Sequence, residues 1–268
     1  MSKNIIALGT GAADTTKYYQ TAFLLTENDQ NMLIDTGGGS GLIAQFDKAG
    51  VSVSDIQSVF ITHHHIDHIF GIFWLLRFRG SKIAKGKAPD LTIYASEKNI
   101  ALIKEISFKF LKPKVTDIFD EKIIFIPVNS LSNETIGNWK ATFISCQSEK
   151  DEQFGVKIVF SDSSNLVFLG DEPYKESMNK ICENADYLFH DSFCLENDRE
   201  RFKPEKIHHS TVSEAAKNAQ KLNAKNLILF HTEDSSTFGK RKELYTEEAK
   251  QLFSGNILVP DDLEKIEL

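Results

Sequence analysis

Short apolar runs alternate along the chain with segments in which apolar residues recur every three to four positions. The runs are rich in Val, Ile and Phe and stop at Gly, Asp or Asn, which predicts buried strands; the longer spacing predicts helices with one buried face. Strands are expected at Ile5–Leu8, Thr21–Thr26, Asn31–Asp35, Gln57–Thr62, Leu91–Ala95, Ile123–Val128, Trp139–Cys146, Gly155–Phe160, Leu166–Leu169, Tyr187–Phe189 and Asn226–Phe230. Helices are expected at Ser40–Lys48, Ile69–Gly80, Glu97–Leu111, Pro173–Glu183, Val212–Leu222 and Tyr245–Phe253. Thr21–Thr26 and Asn31–Asp35, joined by Glu27-Asn28-Asp29-Gln30, read as an antiparallel hairpin, which argues against a doubly wound fold starting at residue 1. Leu8-Gly9-Thr10-Gly11 is not followed by the rest of a GxGxxG phosphate loop or by a helix, so it reads as a tight turn between strands. No linker rich in Pro, Gly or Ser, no repeat and no low-complexity tract divides the 268 residues. The expectation is a single domain over 1–268 in which strands and helices form an α/β layered sandwich.

Composition narrows the class. Charged residues make up 26% and hydrophobic ones 41%, a globular balance that excludes a disordered or fibrous chain. With a net charge of −7, the molecule as a whole is not a polyanion binder. Cys146, Cys182 and Cys194 are far apart and form no CxxC, which excludes a disulfide scaffold or a thiolate zinc finger and points to a reducing compartment. The first nine residues hold an apolar run of four, short of the ~7–15 of a secretory signal. The longest apolar stretch, Ile69–Leu76, is short of the ~20 residues of a spanning helix. A soluble, cytoplasmic protein is expected.

The histidines change the picture. Of eight, none precedes residue 63 and four fall within six residues, in Thr62-His63-His64-His65-Ile66-Asp67-His68. A loop leaving a strand end can aim such neighbours at one point, and imidazole with carboxylate suits zinc, iron or manganese.

Thr62, His63, His65, Asp67, His68 and Gly71 form Thr-His-x-His-x-Asp-His-x-x-Gly, which resembles the signature of the metallo-β-lactamase-fold hydrolases. Leu33-Ile34-Asp35-Thr36-Gly37, Leu169-Gly170-Asp171 and Leu229-Phe230-His231 resemble further elements of that family, so the likeness runs along nearly the whole chain. Phe189-His190-Asp191-Ser192 and His209-Ser210-Thr211 are most similar to elements of its ribonuclease Z branch. The resemblance implies a four-layered αββα sandwich of two mixed β-sheets flanked by helices. It also implies a two-metal site, holding one or two zinc ions with manganese or iron as alternatives. His63 and His65 would bind the first metal, Asp67, His68 and His231 the second, and Asp171 would bridge both. Asp35 would support the ligand loop.

One element of the pattern is missing. The family's third histidine for the first metal should lie after Trp139–Cys146 and before Phe154-Gly155, but no histidine occurs between His68 and His190. Gln147 is the best positional match, with Cys146 and Glu149 as competitors; a Gln oxygen suits zinc less well than imidazole does. A full second site and a weakened first one are therefore expected, and a catalytically impaired or binding-only protein is the alternative to an enzyme.

By the same resemblance, Asp67 would hold or deprotonate a metal-activated water. His209 would contact a phosphate or protonate the leaving group, and Asp191 would orient it. The residues themselves add that Thr211 and Glu214 form a capping box, so a helix starts just after His209 and offers partial positive charge to an anion. Phosphodiesters or other small esters, including nucleic-acid phosphoesters, are the expected substrates, and a homodimer is a family expectation. The long basic arm that many ribonuclease Z enzymes insert before the Gly-Asp strand has no room here, since fifteen residues separate Gly155 from Asp171. A partial substitute is the segment Arg77–Phe125, with eleven Lys or Arg against six Asp or Glu, net +5, where the rest of the chain sums to −12. It reads as a solvated face or as a phosphate-guiding rim.

Overall fold

A computed structural model describes residues 3–237 and 239–268. In chain order the strands are β1 Lys3–Gly9, β2 Ala22–Glu27, β3 Gln30–Ile34, β4 Ser58–Phe60, β5 Leu91–Ala95, β6 Ile123–Pro127, β7 Asn133–Ile136, β8 Trp139–Ser145, β9 Phe154–Val159, β10 Asn165–Phe168, β11 Tyr187–Asp191, β12 Asn226–Phe230, β13 Asn256–Leu258 and β14 Lys265–Glu267. Contacts group the chain into two units, one from the N-terminal strand, Tyr19–Val128 and Asp262–Leu268, the other from Thr10–Tyr18 and Asn129–Asp261. Each is built on one seven-stranded mixed sheet flanked by helices.

The first sheet has the order β14-β1-β2-β3-β4-β5-β6. Pairings from β14 to β3 are antiparallel, and those from β3 to β6 are parallel. Helices cross over between the parallel strands, as such connections require. Leu42, Phe46, Ile72, Leu75, Ile100 and Ile103 from these helices share one buried cluster with Leu24, Leu33, Val59 and Ile93 of the strands. The hairpin forms as expected but is tighter: Glu27 pairs with Gln30, and Asn28 takes the left-handed conformation that a short turn demands.

The helical path after β4 departs from the expected Ile69–Gly80. It begins at Ile66 and runs through Ile66–Ile69, Gly71–Leu75, a π-helical turn at Leu76–Gly80 and Ser81–Ile83. His65 caps it in extended conformation, and its carbonyl accepts the amides of His68 and Ile69. Asp67 and His68 thus sit in a first helical turn rather than a loop.

The second sheet has the order β13-β12-β11-β10-β9-β8-β7; β10 to β13 are mutually parallel and the rest antiparallel. Val212–Lys221 and Arg241–Lys250 pack Val212, Ala215, Ala216, Ala219, Tyr245 and Ala249 against Val167, Leu188, Leu227 and Leu229. Phe168, Phe189 and Phe230 pack ring to ring across neighbouring strands. The expected helix Pro173–Glu183 is instead a 3₁₀ turn at Glu176–Met178 followed by Asn179–Cys182. The last helix is Arg241–Lys250 rather than Tyr245–Phe253. Its first residues, Arg-Lys-Glu, are good helix formers that carry no apolar signal. No described helix is long and apolar enough to cross a membrane.

Candidate metal centre

In the first unit the chemistry gathers where the parallel strands β3 and β4 end. Asp35 follows β3 in left-handed conformation and is fully buried. Its two carboxylate oxygens accept the Thr62 amide and hydroxyl at 2.8 Å each, and His68 Nδ1 donates to Oδ2 at 2.7 Å. The Thr62 hydroxyl stands 3.0 Å from His63 Nδ1 and accepts its proton. Both rings are therefore fixed through Nδ1, which presents Nε2 as the ligand atom, the arrangement of a carboxylate-oriented metal histidine. The ring centroids of His63 and His65 lie 4.4 Å apart and those of His63 and His68 4.2 Å apart. Asp67 is buried, with Oδ2 3.4 Å from His68 Nε2.

Burial opposes charge on His68, but the carboxylates of Asp67 and Asp35 outweigh it and hold its pKa well above the ordinary imidazole value. Burial likewise pushes Asp35 above the usual carboxylate range, against the pull of His68.

Thr36 anchors the turn by donating its amide and hydroxyl to the His68 carbonyl at 2.8 and 2.7 Å. Gly71 closes against it: a Cβ there would lie 2.0 Å from the Thr36 carbonyl oxygen, which only glycine avoids. Asp35→Asn is expected to keep the fold and weaken zinc affinity about 10–100-fold, the usual effect of losing a carboxylate that orients a metal histidine. Competition titration against a zinc chelator measures it, and unchanged affinity would show that Asp35 serves the fold alone.

In the second unit Asp171, Asp191 and His231 stand at or just beyond the C-terminal ends of β10, β11 and β12, which the parallel pairing places side by side. His231 Nε2 is 3.8 Å from Asp171 Oδ2, and its Nδ1 is 3.3 Å from Asp191 Oδ1. His209 Nδ1 donates to the Asp171 carbonyl at 3.2 Å and lies 3.5 Å from Asp191 Oδ1. The His209 ring stacks between Phe193 and His231, at 5.2 and 4.9 Å. Asp191 is buried and accepts the Ser210 amide at 2.6 Å. Burial raises its pKa, yet His209 and His231 hold it below the usual carboxylate value. Asp171, His209 and His231 offer ligand atoms within 4.8 Å of one another. A carboxylate with two imidazoles is a nitrogen and oxygen donor set that suits zinc, iron or manganese.

The capping box forms as expected: Thr211 Oγ1 accepts the Glu214 amide, and the Glu214 carboxylate accepts the Thr211 amide. His209 and Tyr174, Lys175, Lys217 and Asn218 line a cleft of about 430 Å³. His208 is half-buried on the same cleft. His190 faces elsewhere. Its Nδ1 donates to the Asp191 carbonyl, its Nε2 accepts from Asn218, and burial lowers its pKa, keeping it neutral.

Gln147 lies beyond the end of β8 in left-handed conformation. It is exposed, and its Oε1 accepts from Ser177 at 2.7 Å. Cys146 turns its thiol to the Leu169 carbonyl at 3.2 Å, and burial raises its pKa, so the thiolate a metal needs is disfavoured. The side chain of this hairpin that reaches Asp171 is Gln153, buried, which donates Nε2 to Asp171 Oδ1. Nothing in the apolar pattern marks it; its one signal is its place directly before Phe154-Gly155, inside the interval where the missing histidine was sought.

A family model described as Anti-Pycsar protein Apyc1 matches residues 3–249. The chain belongs to this family. It is also similar to a ribonuclease Z of Bacillus mycoides (strain KBAB4), 28% identical over 306 residues and covering 96% of each chain. Two solved structures share the fold. The metallo-β-lactamase fold protein YhfI from Bacillus subtilis has a TM-score of 0.82 at 20% identity, covering all of both chains. A diphosphatase from the PhnP family has a TM-score of 0.73 at 19% identity, covering 100% of this chain and 98% of its own. This Apyc1-family chain has the metallo-β-lactamase fold and is a metal-dependent hydrolase of ribonuclease Z-like type.

Proposed function

We propose that the protein is a phosphodiesterase acting on small phosphodiesters. The observation that carries this reading is the paired orientation around Asp191, which holds both His231, a candidate ligand, and His209, a candidate proton donor. Two relatives whose names state phosphoester or phosphoanhydride cleavage, a ribonuclease and a diphosphatase, support the same bond class.

The ligands proposed are those the resemblance assigns: His63 and His65 for one metal, Asp67, His68 and His231 for the other, and Asp171 between them. The side chain of Gln147 bonds to Ser177, so the first site is proposed to lack a third strong ligand. Zinc is the metal proposed, with manganese or iron as alternatives. When bound, such an ion lowers the pKa of water toward ~7 and screens the phosphate charge. With such an ion held, Asp67 would orient the water and accept its proton at the carboxylate. His209, tied through Nδ1 to the Asp171 carbonyl and 3.5 Å from Asp191 Oδ1, has Nε2 available to give a proton to the leaving oxygen. The reading treats 1–268 as one functional domain. Three free, buried cysteines support the cytoplasm as its location.

The test is a comparison of substrates with zinc or manganese supplied: bis-p-nitrophenyl phosphate and a dinucleotide against a lactam and a thioester. Turnover of the phosphodiesters is expected to exceed the others; faster turnover of the lactam or thioester would overturn the assignment.

A further inference from the structure

The first unit carries a recess that none of the chemistry above uses. It has a volume of about 290 Å³ and lies where the π-helical turn after Leu75 meets the segment following Glu97–Phe110. Arg77, Lys85, Lys112 and Lys114 line it together with Phe78 and Leu111, and no carboxylate does. All four cations are exposed, and none forms an ion pair with a described residue. Neighbouring cations are engaged differently: Lys104 pairs with Asp120, Lys109 pairs with Glu105, and Lys82 donates to Ser54. The positive character noted over Arg77–Phe125 is therefore concentrated in one concave place.

An aromatic surface adjoins it. Phe70, Trp74 and Phe78 recur every four residues on one face of the helical path and are 42%, 40% and 42% exposed. Trp74 and Phe78 stack, with centroids 6.5 Å apart and planes 30° apart, and Phe78 also lines the recess, so the recess adjoins exposed aromatic surface. Such rings are costly to leave in water, and a cluster of them marks a binding surface.

We propose that this recess and the Trp74–Phe78 pair form a binding site for single-stranded nucleic acid, separate from the candidate metal ligands. Cations along a groove neutralise successive phosphates, and exposed rings take bases by stacking, which requires no particular sequence. Charge complementarity selects this occupant. A second copy would bring four cations against four cations, and like charges facing each other oppose association. The recess with its exposed aromatic flank fits alternating phosphates and bases. An acidic peptide could answer the charge but supplies no regular series of planar groups.

Fluorescence anisotropy with a labelled oligothymidylate of twelve nucleotides tests the site on the intact protein, with strand integrity checked by gel afterwards. Four neutralised phosphates predict a log K against log salt slope of about −3, from ~0.7 per phosphate on single strands. Lys85→Glu with Lys112→Glu and Lys114→Glu is expected to weaken binding more than tenfold and bring the slope to about −1. Trp74→Ala with Phe78→Ala is expected to weaken it about tenfold or more at an unchanged slope. Both variants should hydrolyse bis-p-nitrophenyl phosphate like the parent, which separates this site from the catalytic reading. Equal affinity for duplex DNA, or no effect of the aromatic substitutions, would overturn the proposal. So would an absence of oligonucleotide binding, whether the face instead makes a dimer that Trp74→Ala dissociates or binds phosphatidylserine vesicles.

Discussion

Asp67→Ala is expected to lower turnover of bis-p-nitrophenyl phosphate by about 10²–10⁴-fold, the range lost with a positioned general base, while the chain stays folded. Two properties of the residue set the expectation. Asp67 is buried in the first turn of the helix that starts at Ile66, with its carboxylate 3.4 Å from His68 Nε2, and the resemblance also makes it a metal ligand. Removing it takes away a proton acceptor and a negative ligand together, so metal content should fall with activity. Circular dichroism and thermal unfolding of the variant check the fold, because the Asp35–Thr62–His68 linkage that holds the turn does not pass through Asp67. Turnover within a few-fold of the parent would remove Asp67 from the chemistry.

His209→Ala should behave differently. Its ring is held by the Asp171 carbonyl, by Asp191 and by stacking against Phe193 and His231. If its task is to protonate the leaving oxygen, the loss depends on the leaving group. A phosphodiester that expels a strongly basic alkoxide should lose about 10²–10⁴-fold in kcat. One that expels p-nitrophenolate needs no proton and should lose far less. Metal content should match the parent. An equal loss on both substrates, or a loss of metal, would make His209 a ligand or a structural residue rather than an acid.

Sequence reading reached the parallel strands and the residues at their ends because these signals are local. Leu33–Ile34, Leu166–Leu169 and Leu227–Phe230 are continuous apolar runs, as strands buried on both faces require; Asp35 and His231 follow their runs directly, and Asp171 follows after Gly170. The metallo-β-lactamase fold was legible through the resemblance of the short motifs at Thr62–Gly71 and at these strand ends to that family. Other features lacked a local signal. Strands β7, β13 and β14 span three or four residues with polar members, too short for alternation to register. The helical path from Ile66 begins inside a histidine run that reads as a loop. Beyond Ser145, where β8 ends, Gln147 adopts a positive φ, which breaks the alternation a continuing strand would have. Gln153 and the Asp35–Thr62–His63 linkage depend on contacts between distant parts of the chain.

The most direct test of a metal-dependent phosphodiesterase with one complete and one weakened metal site is a stepwise chelator titration of protein purified without added metal. Metal per chain and bis-p-nitrophenyl phosphate turnover are read at every step. The account predicts two classes of bound ion, one lost early and one late, with turnover falling as metal leaves and returning when zinc or manganese is restored. Two equivalents that leave together and resist chelation, or full turnover in metal-stripped protein, would contradict it.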